Sequence, residues 1–224
     1  MASAKAVLHV VDSQCFSKRL KLATQGALVA TWAAVGWVVL GVESIVHPQP
    51  VNFRDAVWMI PFSLTAAAFI YLHLLQRSRA AMLEAIGFYA VMMASLLAFL
   101  GNVGVLTNFP LLAKFGFPWG ALLWMAGLIV FGIGTWTART APWYVGLALI
   151  LLEPGSLLTG LALAPVAPLH NRGAYSAGVE KGLALAVVGF ALSQLKKCAG
   201  EDCMIKKILL IFIRTFRCDL RGFR

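Results

Sequence analysis

Six runs of about 20 apolar residues constrain this chain more than any motif does, because about 20 residues is the length a helix needs to cross roughly 30 Å of hydrocarbon at 1.5 Å per residue. The runs lie at about 22–42, 56–75, 85–106, 119–137, 142–164 and 176–195. Punctuation falls between them: His47-Pro48-Gln49-Pro50, Gln76-Arg77-Ser78-Arg79, Phe109-Pro110, Ala141-Pro142, and Pro165 with Pro168. With 60% hydrophobic and 12% charged residues, the chain is too apolar for a soluble domain, where the corresponding shares are roughly 45–50% and 25%. Lipid is therefore its solvent. Backbone groups in lipid must be satisfied within their own segment, so the spans are expected to be α-helices. Short alternating strands, the mark of a membrane barrel, are lacking. The expected fold class is all-α, a polytopic bundle of six transmembrane helices.

Orientation comes from the basic residues. Fifteen of the 19 Lys and Arg residues fall on the side of the two termini, against Arg54, Lys114, Arg172 and Lys181 on the other. The positive-inside rule then places both termini in the cytoplasm. Three segments result: a cytoplasmic 1–21, a transmembrane domain over 22–195, and a basic tail over 196–224. The expected location is the cell membrane. Ala6-Val7-Leu8 is too short for the apolar core of a cleavable leader, and the run after Lys21 is long enough to span. Cys15, Cys198, Cys203 and Cys218 all lie outside the spans on the cytoplasmic side, where structural disulfides are rare. The formal charge of +10 flanks apolar runs, which speaks for headgroups and against nucleic acid as a partner.

Helices in lipid lack a hydrophobic drive toward each other, so close backbone approach at small residues takes its place. Three stripes at a spacing of four are the expected seams: Gly26/Ala30/Ala34, Ala90/Ala94/Ala98 and Gly178/Gly182/Ala186. Asn102 continues the second stripe and is expected to face protein, either bonding between helices or holding a ligand.

Glu153 is the costliest residue to place. It lies about eleven residues into its span, near mid-depth, where an ionised carboxylate must be paired, protonated or facing a polar cavity. Pro154 removes a backbone donor and crowds the preceding turn, and Gly155 loosens the next turn, so a kink or break is expected. Broken helices with a polar group at mid-depth are a common way of building a transporter's binding site. Glu153, with Asn102, is the candidate for substrate or proton binding; the plainer reading is an interhelical hydrogen bond.

Glu43 and His47, four residues apart, share a helical face, and with His170 they bring carboxylate and imidazole to the outer surface. That chemistry suits zinc and similar ions, although Pro48 ends the helix at once and polar residues crowd any interfacial loop. No resident cofactor is implied. His73 and Glu84 flank Arg77 and Arg79 on the inner side, with no function assigned. The chain has no phosphate-binding glycine loop, no nucleophile elbow and no HExxH, so no enzyme class is indicated.

In the tail, Ile205, Ile208, Leu209, Phe212, Phe216 and Leu220 fall on one face of a helix, and Lys206, Lys207, Arg214, Arg217 and Arg221 on the other. This predicts a C-terminal amphipathic helix lying in the cytoplasmic interface, drawn to anionic lipids. Three functions fit the sequence. The first is a small permease-like transporter centred on Glu153. The second is a membrane subunit or homo-oligomeric scaffold whose small-residue stripes bind partner helices. The third is a membrane-embedded metalloenzyme using Glu43, His47 and His170.

Overall fold

A computed structural model describes the backbone of residues 2–47, 52–77, 82–163 and 178–200. The elements are α1 (Ala2–Val46), α2 (Asn52–Val57), α3 (Met59–Gln76), α4 (Met82–Leu106), α5 (Pro110–Lys114), α6 (Ala121–Ala138), α7 (Trp143–Leu163) and α8 (Gly178–Gly200). The described residues are helical throughout and contain no strand. The six apolar runs coincide with the long helices α1, α3, α4, α6, α7 and α8. Four stretches are long and apolar enough to cross a membrane: Ser17–Val46, Met59–Gln76, Met82–Leu106 and Pro110–Ala138. The apolar stretch in α7, Trp143–Thr159, is shorter. The protein is accordingly a membrane protein of several apolar helices.

The long helices form a closed ring. In order around it, α1 packs on α3, α3 on α4, α4 on α6, α6 on α7, α7 on α8, and α8 returns to α1. Neighbours run antiparallel: Gly41 near the end of α1 meets Val179 at the start of α8, and Glu84 at the start of α4 meets Gly134 near the end of α6. One end of the bundle therefore gathers the end of α3, the start of α4, the end of α6 and the start of α7. The opposite end gathers the end of α1 and the start of α8.

Two of the expected seams are used on the ring's broadest contact. Ala30 and Ala34 are buried, and a Cβ on Gly182 would sit 2.7 Å from the Ala34 carbonyl oxygen. Ala186, however, is exposed and Gly189 is buried. Gly189 faces Thr31 and Ala27, so the seam of α8 advances by seven residues, two helical turns, from Gly182 rather than by four. On α4, Ala94 is fully buried and Asn102 is buried with it, facing protein as expected. The tightest crossing is at Gly87, where a Cβ would lie 2.2 Å from the backbone nitrogen of Phe131. Small residues hold these helices at contact distance, and dispersion between backbones is the result of that proximity.

Three further features bear on the expected segments. First, α1 begins at Ala2, so the segment expected to be cytoplasmic is helical from its second residue; the 45 residues of α1 extend about 68 Å at 1.5 Å per residue. Second, α7 continues through Pro154 and Gly155 instead of breaking. Carbonyls on either side of the proline are taken by hydroxyls: Ser156 Oγ donates to Glu153 O at 2.9 Å and Thr159 Oγ1 to Gly155 O at 2.8 Å. Third, the chain leaves helical geometry elsewhere, between α5 and α6, where Phe117 is extended (φ −136, ψ 129) and precedes a cis bond to Pro118. The C-terminal tail with its expected amphipathic helix, including Lys206, Lys207, Arg214, Arg217 and Arg221, lies outside the described residues.

The seams make a direct prediction. Gly87→Leu forces side chain into the Phe131 backbone, which cannot yield as a flexible side chain would, so the α4–α6 crossing should be lost. Size-exclusion chromatography of the detergent-solubilised variant should show no monodisperse peak. Gly155→Ala, whose new Cβ would meet only Leu151 Cβ at 3.4 Å, should keep or slightly raise thermal stability, by up to about 1 kcal/mol. Equal behaviour of the two variants would refute the packing argument.

Candidate functional site

Glu153 projects from the middle of α7 into the ring, where it meets a cation that the sequence pattern did not pair with it. Lys181, in the first turn of α8, brings Nζ to 3.0 Å from Glu153 Oε1 and 3.0 Å from Oε2. From α6, Trp124 donates its indole N–H to Oε2 at 3.2 Å. The compensation expected for a mid-depth carboxylate is thus an ion pair reinforced by a neutral donor. Lys181 is 6% exposed, and its ammonium also lies 5.1 Å from the ring centroid of Trp37 on α1, within cation–π range. Trp37 in turn donates to Thr65 Oγ1 on α3 at 3.0 Å, and Thr65 donates to the Pro61 carbonyl at 2.7 Å. Side chains from α1, α3, α6, α7 and α8 are tied together through polar atoms in this one place.

These groups line a cavity of about 310 Å³ inside the bundle. Asn102 from α4 lines it as well, so the two residues singled out for substrate or proton binding share one site. Five aromatic rings stand in its walls: Trp37, Trp58, Phe62, Phe117 and Trp124. Gly101, Gly116 and Gly120 form the side beneath α5 and the kinked segment. There the chains touch, since a Cβ on Gly101 would fall 2.3 Å from Gly116 Cα. The departure from helix at Phe117 thus shapes a wall of the cavity. Pro154 and Gly155 do not break α7; they leave Glu153 on a continuous helix.

Toward the opposite end, the interior is filled by rings in contact. Phe62 lies 4.8 Å from Trp124, Trp124 6.0 Å from Phe69, Phe69 5.7 Å from Phe131 and Phe131 6.0 Å from Phe88, all between centroids. Phe88 then stacks on His73 at 4.0 Å, with the planes 4° apart. This column separates the cavity from a second polar cluster. His73 Nδ1 is 2.9 Å from Glu84 Oε1, Glu84 is fully buried, and Gln76 donates to Thr135 Oγ1 at 3.4 Å. Glu84 therefore pairs with His73 and ties α3 to α4.

At the other surface, both oxygens of Glu43 are held by Arg54, at 2.5 Å from Nε and 2.9 Å from Nη2, and Arg54 also bonds the His47 carbonyl. His47 Nδ1 is 3.6 Å from Glu43. Among the described residues no group of three or more His, Cys, Asp or Glu converges. His170 lies outside those residues. The Glu43 carboxylate is thus engaged by an arginine, whose bidentate fork ties the end of α1 to the segment before α3.

Sequence reasoning missed Lys181, Trp124, Trp37 and Thr65 as members of the site. A signal for Lys181 was present: it stands inside the sixth apolar run, an acidic partner would offset its charge there, and Glu153 is the carboxylate that needs one. No known protein family, curated protein or solved structure matches the chain, and the geometry alone carries the functional reading.

Removing one member of the pair leaves the other charge in an aromatic-walled cavity. Lys181→Met or Glu153→Gln alone should lower stability by about 1–3 kcal/mol, the penalty of an unsatisfied buried polar group. The double variant Lys181→Met/Glu153→Gln should recover most of that loss, because the partners vanish together. Thermal denaturation of the four proteins in one detergent measures the coupling; additive losses would show that the pair is not energetically linked.

Proposed function

We propose that the chain is a six-span integral membrane protein with both termini in the cytoplasm, and that it moves a small polar molecule through the bundle by way of the Glu153 cavity. The observation that carries this reading is the cavity itself: a chamber bounded by all six long helices with an ion pair and an amide on its wall. Sites of this kind, apolar with a few converging polar groups, are the usual form of a small-molecule pocket. The aromatic column beneath it supports transport over simple binding, since a chamber closed toward one side is half of an alternating-access cycle.

The orientation draws support from the ion pairs. Of the four basic residues assigned to the outer side, Arg54 and Lys181 are buried against Glu43 and Glu153, so two of the four are offset by acidic partners. The cavity then belongs to the outer half and the His73–Glu84 pair to the inner. The scaffold reading has less behind it, because the small-residue stripes of α1 and α8 are spent on each other. The metalloenzyme reading is weakened by the arginine on Glu43.

Accessibility tests both parts. In intact cells, a membrane-impermeant maleimide should spare Cys15, Cys198, Cys203 and Cys218 and should modify Ala98→Cys, at the cavity wall. Leu72→Cys, buried between Phe69 and His73 along α3, should resist the reagent from outside and react slowly from the cytoplasmic side as the column opens. Labelling of the native cysteines from outside would reverse the topology. Complete protection of Leu72→Cys from the cytoplasmic side would remove transport and leave a binding protein.

A further inference from the structure

We infer that the cavity takes a small zwitterion bearing an apolar or aromatic body, an amino-acid-like molecule whose carboxylate meets Lys181 and whose ammonium meets Glu153; this rests on the reading of the cavity as a binding site. The first argument is charge. Lys181 and Glu153 sum to zero, and the rest of the wall is mainly aromatic and aliphatic. A ligand with net charge of either sign would be left uncompensated in a medium of low dielectric, where such a charge is expensive. A zwitterion keeps the site neutral.

The second argument is unused bonding capacity. An ammonium carries three donors and a carboxylate about four lone-pair positions. Lys181 directs its ammonium at Glu153 and lies over the Trp37 ring. Glu153 accepts from Lys181 and Trp124, yet its side chain remains 26% exposed, against 8% for Lys181, and both line the cavity. A donor on one member and acceptor positions on the other are therefore available side by side, 3.0 Å apart. A neutral ligand would use at most one of them, whereas a carboxylate and an ammonium on the same small molecule would use both, closing a ring of alternating charges.

The third argument is shape. Both indole N–H groups nearest the pair are committed, Trp37 to Thr65 and Trp124 to Glu153, so these rings offer ring carbons to a guest. A cavity of about 150 Å³ holds benzene; at about 310 Å³ this one has room for such a ring and a charged headgroup together.

Four probes of one skeleton separate the alternatives: L-phenylalanine (zwitterion), phenethylamine (cation), 3-phenylpropionate (anion) and 3-phenylpropanamide (neutral). Binding to the purified full chain in nanodiscs is followed by calorimetry. L-Phenylalanine should bind at least about tenfold tighter than each of the others, as two charge-assisted bonds require. The double variant Lys181→Met/Glu153→Gln, chosen because it leaves no orphaned charge, should lose that preference. Ala98→Trp, which fills the cavity, should abolish binding of every probe. If the amide or one of the singly charged probes binds best and Ala98→Trp still blocks it, the zwitterion proposal falls while the binding site stands. If L-phenylalanine binds but neither variant weakens it, the site itself is misplaced and both readings fall. Absence of binding by all four at millimolar concentrations likewise overturns the proposal.

Discussion

The close approach of backbones is the constraint on which the rest of this structure depends. In lipid, helices gain nothing from burying apolar surface against each other, so the ring must be held by contact between atoms that large side chains would keep apart. Gly87 against Phe131 joins α4 to α6, and Gly178 and Gly182 against Trp37 and Ala34 close α8 onto α1. That last contact makes the bundle a ring instead of an open sheet of helices. It also delivers the function-bearing geometry, because Lys181 lies between Gly178 and Gly182 on the same first turns of α8. A looser seam there would draw Nζ away from Glu153, and the carboxylate would be left with only the Trp124 indole.

Much of the architecture is written in local pattern. Length and hydrophobicity locate the six long helices, since each needs only its own residues to declare itself. The cost of burying a carboxylate marks Glu153, and the small-residue period turns Asn102 inward; both line the cavity. What local pattern cannot carry is partnership between helices far apart in sequence. Glu153 and Lys181 are 28 residues apart, as Trp37 and Thr65 are, and nothing in either neighbourhood names the other. The same limit hid the His73–Glu84 pair, which forms only where α3 packs on α4. Pro154 stands inside a continuous α7, where the hydroxyls of Ser156 and Thr159 bond the carbonyls of Glu153 and Gly155 beside it.

The two interior polar clusters share a design and differ in access. Each sets a carboxylate against a basic side chain from another helix, Glu153 with Lys181 and Glu84 with His73, and in each an aromatic ring lies against the base: Trp37 under the Lys181 ammonium, Phe88 stacked on His73. The Glu153 pair borders open volume, whereas Glu84 is sealed. Between them run Trp124, Phe69 and Phe131, and Trp124 belongs to both structures, bonding Glu153 by its N–H while its ring begins the column.

That double membership couples the site to the seal. A ligand ammonium seated on Glu153 competes for the oxygen that Trp124 now bonds, and any shift of the indole disturbs the rings packed on it at Phe62 and Phe69. Rings in van der Waals contact rearrange in steps rather than continuously, because interiors at close-packed density have few intermediate arrangements. In the proposed transport reading, filling the cavity and loosening the column would be linked through this one side chain.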